Sequence, residues 1–139
     1  MEVAGARFYY SRFSAEEKAV YDGICDTLRQ WGAMYGTSHY VNVDATKIMN
    51  GILCDNPEFF YVDRHHMMLK HNRFLLRIEF HYTYDRQETQ GIWQRMTEVL
   101  EDFESAHIKP DMRTLQKQIE IHRFLMANVR YAPYPSDDD

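Results

Sequence analysis

Long apolar runs are missing from this sequence. No stretch approaches the ~20 consecutive apolar residues that a membrane-spanning helix requires, and the first ten residues carry no signal-type hydrophobic segment. A cytoplasmic location is the resulting expectation, with no membrane as partner. Cysteine is scarce. Only Cys25 and Cys54 are present, neither in a CxxC or zinc-type spacing, and both fall within helical patterns. The expectation is two small buried hydrophobes rather than a disulfide. Concentrated positive charge is missing too. The net charge is −5, and the longest basic concentration, 109–130, is interrupted by Asp111 and Glu120. Phosphate-backbone binding needs a concentrated basic surface, so nucleic acid is not the expected partner. Internal repeats, low-complexity linkers and cofactor motifs are absent from the pattern, and no cofactor is expected.

What is present suffices for a core. Hydrophobic residues make up 45% of the chain, and ten Tyr and eight Phe raise the aromatic share to 14%, which separates this chain from disordered sequences. At 139 residues a single domain is expected over 14–131, with an N-terminal arm at 1–13 and a flexible acidic tail at 132–139. Ser14-Ala15-Glu16-Glu17 is a capping box, and Val20, Ile24, Leu28 and Trp31 continue it as one apolar helical stripe ending near Gly32. Tyr40-Val41-Asn42-Val43 reads as a short extended segment. Asp44 caps a second helix to about Cys54, with Ile48 and Ile52 inward and Gly51 weakening it slightly.

The chain then pivots. Asp55-Asn56-Pro57-Glu58 stops a helix, because the residue before proline is driven out of the α region. Phe59-Phe60-Tyr61-Val62 is expected as a buried strand. Met67-Met68-Leu69 reads as another strand, turned back by His71-Asn72-Arg73. Phe74, Leu76, Ile78, Phe80, Tyr82 and Tyr84 alternate with mostly polar residues, which predicts a long strand with one buried face. A third helix is expected from Asp85 or Thr89, with a stripe of Ile92, Trp93, Met96, Val99, Leu100 and Phe103. A fourth is capped by Asp111 or Thr114, with Leu115, Ile119, His122, Met126 and Val129 on one face. Helices packed on one face of a small antiparallel sheet, an α+β fold, follow from this order. The stripes of Val20, Ile92 and Ile119 are expected to cover the long strand.

Two stretches carry a family resemblance. The capped helix at 14–22, followed by Asp55-Asn56-Pro57-Glu58-Phe59-Phe60-Tyr61, resembles the region preceding the catalytic core in bacterial transglutaminase-like (papain-like) proteins. Ile121-His122, Leu125, Asn128-Val129 and Tyr131 are similar to the helix that opens their core, with Arg123 where an acid is usual. The resemblance implies the non-catalytic N-terminal part of such a protein, or a free-standing relative that kept only that part. The family's nucleophilic cysteine, histidine and aspartate follow this helix by tens of residues, and this chain ends at Asp139 before them. No catalytic residue is therefore carried over. The implied partner is protein: a papain-like catalytic domain in cis or in trans, or a second copy.

Candidate residues follow from these readings. Arg77, Glu79 and His81 share the polar face of the long strand. With His122, Tyr131 and Tyr134 they are the candidate binding set, although a histidine on an apolar helix face is expected to be a hydrogen-bonded core residue. His65, His66 and His71, near Asp63, are weak metal candidates, since neighbouring strand residues point to opposite faces. Cys54 beside these histidines defines the alternative, a small hydrolase or metal-binding enzyme. A stand-alone inhibitor or binding module is the third reading.

Overall fold

The computed structural model describes residues 7–71 and 75–130. They form four α-helices and a three-stranded antiparallel sheet, an α+β fold. The chain divides into two compact units, Met1–Thr89 and Gln90–Asp139.

In the first unit, α1 (Ala15–Arg29) starts as its sequence demands. Ser14 Oγ accepts from the Glu17 N–H at 3.2 Å, and Glu17 Oε2 accepts from the Ser14 N–H at 2.8 Å. Glu17 also meets Lys47 Nζ at 2.9 Å, tying α1 to α2 (Ala45–Asp55). These donors hold the Glu17 carboxyl below its ordinary range, the Ser14 backbone N–H contributing most. The Asp44 carboxylate caps α2 by accepting from the Lys47 N–H at 3.0 Å. Gly51 has a steric role beyond its low helix propensity. A Cβ there would come within 2.9 Å of the Phe13 ring, so the glycine admits Phe13 to the core. Phe13, within the expected N-terminal arm, is thus a core residue.

The pivot holds this unit together, but not as a strand. Pro57–Phe59 is a 3-10 turn, closed by Phe59 N–H to Asn56 O at 3.1 Å and followed by Val62 N–H to Phe59 O at 3.1 Å. Proline presets the first φ of such a turn, and these local bonds use the donors that a strand would have sent sideways. Pairing is limited to one bridge, Val62 with Tyr82, made by Thr83 N–H to Tyr61 O at 2.8 Å and Asp63 N–H to His81 O at 2.9 Å. Asp55 and Asn56 then act as a hub. Asp55 accepts from the backbone N–H groups of Tyr9 (3.1 Å) and Tyr10 (2.9 Å) and from the Tyr21 hydroxyl (3.3 Å). The Asn56 amide donates to Tyr21 Oη and Ile52 O, both at 2.7 Å. A buried amide with two such partners is satisfied rather than costly.

The sheet differs from expectation in length and membership. Its order is β1 (Met34–Gly36), β3 (Leu76–Glu79), β2 (Met68–His71), with Tyr35 opposite Ile78 and Leu69 opposite Ile78 on the other side. The long strand is four residues rather than eleven. Its alternation survives: Leu76, Ile78 and Phe80 are buried, Arg77 and His81 exposed. The Phe80 N–H still donates to Ala33 O at 2.9 Å, one residue beyond each strand and in register with the β1–β3 pairing. Tyr84 is exposed. Phe74 and the turn residues Asn72 and Arg73 lie outside the described residues. β1 falls where a turn at Gly36 was expected, while residues 40–43 form no strand and send Val41 and Val43 into the core. That core joins Val20, Ile24 and Leu28 of α1, Ile48 and Ile52 of α2, and Leu76 and Ile78 of β3.

Trp31 ends α1 in a conformation that tryptophan rarely adopts, with φ at +60°. Trp31 N–H donates to Leu28 O at 3.0 Å and Gly32 N–H to Thr27 O at 2.9 Å. This is the paired closure that usually places glycine at Trp31's position. What holds the tryptophan there is stacking. Its ring lies 4.3 Å from that of Tyr61 at 9° and 4.9 Å from that of Tyr82. The Tyr61 and Tyr82 hydroxyls donate to Leu28 O (3.0 Å) and Gly32 O (2.6 Å). An aromatic pair contributes about 0.5–1.5 kcal/mol beyond burial, and the left-handed backbone costs an L-residue about 1–2 kcal/mol. Trp31→Gly and Trp31→Ala should therefore both destabilise, but alanine by about 1 kcal/mol more, since it loses the ring and keeps the strain. Urea midpoints check the order. Alanine outranking glycine would contradict a left-handed backbone at residue 31.

In the second unit, α3 (Arg86–His107) runs on from its start at the end of the first. Asp85 caps it reciprocally with Glu88, at 2.8 and 2.9 Å, so Thr89 is not the cap. α4 (Thr114–Asn128) is capped at Arg113, whose N–H donates to Gln116 Oε1 at 2.8 Å. Neither Asp111 nor Thr114 takes that role. The stripes of Ile92 and Ile119 belong to this unit and not to the core of the first.

Candidate functional site

The polar strand face is self-compensated. Glu79 Oε1 meets Lys70 Nζ at 3.4 Å and Arg77 Nε at 3.7 Å, and the Arg77 Nε–H points to Met34 Sδ. Such exposed pairs contribute 1 kcal/mol at most, roughly, and leave little unspent charge for a partner. His81 is exposed, its ring 6.4 Å from that of His66.

The histidine segment is a turn organised by Asp63. This carboxylate accepts from the His65 N–H at 2.9 Å, the His66 N–H at 3.2 Å and His66 Nδ1 at 2.6 Å. The His66 side chain is the main cause holding the Asp63 carboxyl below its ordinary range. Among the described residues, no three His, Cys, Asp or Glu side chains are grouped to hold a metal ion. The side chain of His71 lies outside the description.

The two thiols differ. Both are free. Cys25 is buried as expected, and burial pushes its thiol up to about 12. A nucleophilic cysteine needs the opposite shift. Cys54 lies on the exposed side of α2, a correction to its expected burial.

The last helix corrects a larger expectation. His122 is exposed rather than a core histidine, because α4 meets α3 with its other face. Phe124 packs on Phe103 with ring centroids 4.5 Å apart, and Glu120 faces His107 at 3.7 Å. Residues 117, 120 and 124 share that side. The apolar stripe lies about half a turn away by helical spacing. Leu115 is 68% exposed, Met126 72% and Val129 63%, and Ile119 is also exposed. On α3 only Phe103 of the stripe is buried. Met96, Val99 and Leu100 are exposed and, with Ile92 and Arg95, line an open groove of about 330 Å³. Tyr131 and Tyr134 lie outside the described residues.

The α3 and α4 stripes lie where the sequence predicts them, but most of their residues are exposed. Their spacing differs between the two helices. Ile92, Met96, Val99 and Phe103 step by four, three and four, and Leu115, Ile119, His122, Met126 and Val129 by four, three, four and three. On α4 that is the step of a narrow coiled-coil seam over two heptads, whereas on α3 Trp93 and Leu100 widen the face beyond one. No protein-family model matches the chain, and none of the curated proteins does. Among the described residues, no helix is long and apolar enough to cross a membrane.

Proposed function

We propose that this chain is a protein-interaction domain without chemistry of its own, and that α3 and α4 are its docking elements. The carrying observation is the direction of the α4 stripe. A helix whose apolar residues face away from its own neighbour presents a binding surface. The buried, high-pKa Cys25 thiol supports the non-catalytic reading. On the resemblance to the pre-catalytic part of transglutaminase-like proteins, the finer proposal is an accessory domain that positions or restricts a papain-like catalytic domain. The polar strand face with its paired charges is the weaker candidate surface.

A photo-crosslinking residue placed at Ile119 or Met126 of the full chain in its native cells tests this reading. Discrete protein adducts are expected from both positions, and none from an exposed polar control such as Asn50 on α2. Absence of adducts from both stripe positions would overturn the docking role of α4. Adducts containing a papain-like catalytic domain would support the finer proposal.

A further inference from the structure

The uncovered groove on α3 and the outward ridge on α4 are complementary to each other, and one chain cannot bring them together. The ridge lies on the side of α4 opposite Phe124, the residue that touches α3. A second chain can supply what the first cannot. We propose that two copies of this chain associate reciprocally, the α4 ridge of each (Leu115, Ile119, Met126, Val129) seated in the α3 groove of the other (Ile92, Met96, Val99, Leu100). This deepens the preceding reading and rests on it.

Three observations favour a second copy over an unrelated partner. The α4 ridge steps by four and three, a narrow seam that suits seating on the wider apolar face of α3. Their charges are opposite. Residues 90–107 carry one arginine against four carboxylates, net −3, and residues 109–130 carry five cations against two carboxylates, net +3. By helical spacing, Asp102 and Glu104 border the α3 stripe and Arg123, which meets Glu120 at 2.9 Å, borders that of α4; Arg130 lies two residues beyond the helix end, and Arg95 is the one cation on the groove. Finally, a twofold axis makes both contacts at once, since groove meets ridge and ridge meets groove, and the assembly closes without an open end. His122 lies mid-ridge between Ile119 and Met126. A single polar residue in such a seam lowers affinity while fixing register.

The test is the mass of the full chain in solution by light scattering coupled to size exclusion, at micromolar concentration and low salt. The expected result is twice the 16.7 kDa of one chain. Met126→Glu and Ile119→Glu are exposed changes that leave the far-UV circular dichroism unaltered, and each should weaken the dimer about a hundredfold or more. His122→Leu should tighten it. Arg123→Glu with Arg130→Glu should dissociate it, and adding Asp102→Lys with Glu104→Lys to the same chain should restore it. A wild-type dimer indifferent to the glutamate variants would overturn the proposal. So would a monomer, and labelling then separates the two readings. In a Cys54→Ser background, a thiol introduced at position 126 that reacts freely in the monomer leaves the interaction reading standing. One that is protected in the monomer means the chain covers its own ridge, and both readings fall.

Discussion

Phe59→Ala is expected to lower stability by about 3–5 kcal/mol, the usual cost of deleting a fully buried aromatic ring. Phe59 is 1% exposed. Its ring meets Tyr61 edge-on at 6.1 Å, and the Arg29 guanidinium lies over it at 5.8 Å. It also closes the turn that carries the chain from the Asp55–Asn56 hub into the sheet region, so the cavity would open where α1, α2 and that turn converge. Phe60→Ala provides the contrast. Phe60 is half-buried, with rings at 6.0 Å (Tyr61) and 6.2 Å (Tyr84), and should cost less than half as much. Urea unfolding followed by circular dichroism measures both. In a two-sided strand, 59 and 61 would share one face and 60 and 62 the other. The turn instead buries 59, 61 and 62 together. Equal costs at 59 and 60 would contradict the burial difference between them.

Alkaline pH should unfold the first unit in a window that begins near pH 9. Burial pushes the Cys25 thiol from an ordinary 9.0 up to about 12 and the Tyr61 phenol from 10.0 up to about 12. Burial also raises Tyr21, opposed by the Asn56 amide that donates to its oxygen. The unfolded chain gives up these protons at ordinary values while the folded chain keeps them. Above pH 9 the folded state therefore binds more protons, and stability falls as pH rises. Their contribution is fully present below pH 9 and is lost progressively toward pH 12. At about 1.4 kcal/mol per pH unit, Cys25 alone accounts for roughly 4 kcal/mol at the top of the window, and Tyr61, whose phenol is only partly desolvated, for less. The Cys25 share is already a sizeable part of the stability of a typical domain, about 5–15 kcal/mol. Circular dichroism against pH should show the loss, and in Cys25→Ala its onset should move up toward pH 10, where the tyrosines begin. A thiol that ionises near pH 9 while the protein stays folded would refute the assignment.

Legibility followed the range of the interactions. The Ser14–Glu17 box, the Asp44 cap and the Asp85 start are contacts within four residues, and the sequence announces them. The pivot was legible as a helix stop, and the alternation from Leu76 to Phe80 as one buried face. At 59–62 aromatic content signals burial and not a strand: Phe59, Tyr61 and Val62 are buried outside any strand. β1 was passed over because Met34-Tyr35-Gly36 is too short to show a period, and only pairing with Ile78 and its neighbours makes it a strand. Trp31 could not be foreseen at a glycine position, because Tyr61 and Tyr82, which hold it there, lie thirty and fifty-one residues away. The α3 and α4 stripes were found residue by residue. Their direction was not, since a stripe reports that a face seeks cover and not which surface provides it.

The Asp55 clasp on the Tyr9 and Tyr10 backbone also sets an order on the ribosome. Residues 9 and 10 emerge first, yet their N–H groups wait for a carboxylate forty-five and forty-six residues later. At about 5–20 residues per second, that delay is roughly 2–9 s. The end of α1 waits longer, until Tyr61 and Tyr82 arrive to take up Trp31 and the Leu28 and Gly32 carbonyls. The capped first turns of α1 and α2 can form as they appear, but the first unit cannot lock until most of it has been made. The nascent chain therefore carries the unburied faces of two helices for much of its synthesis.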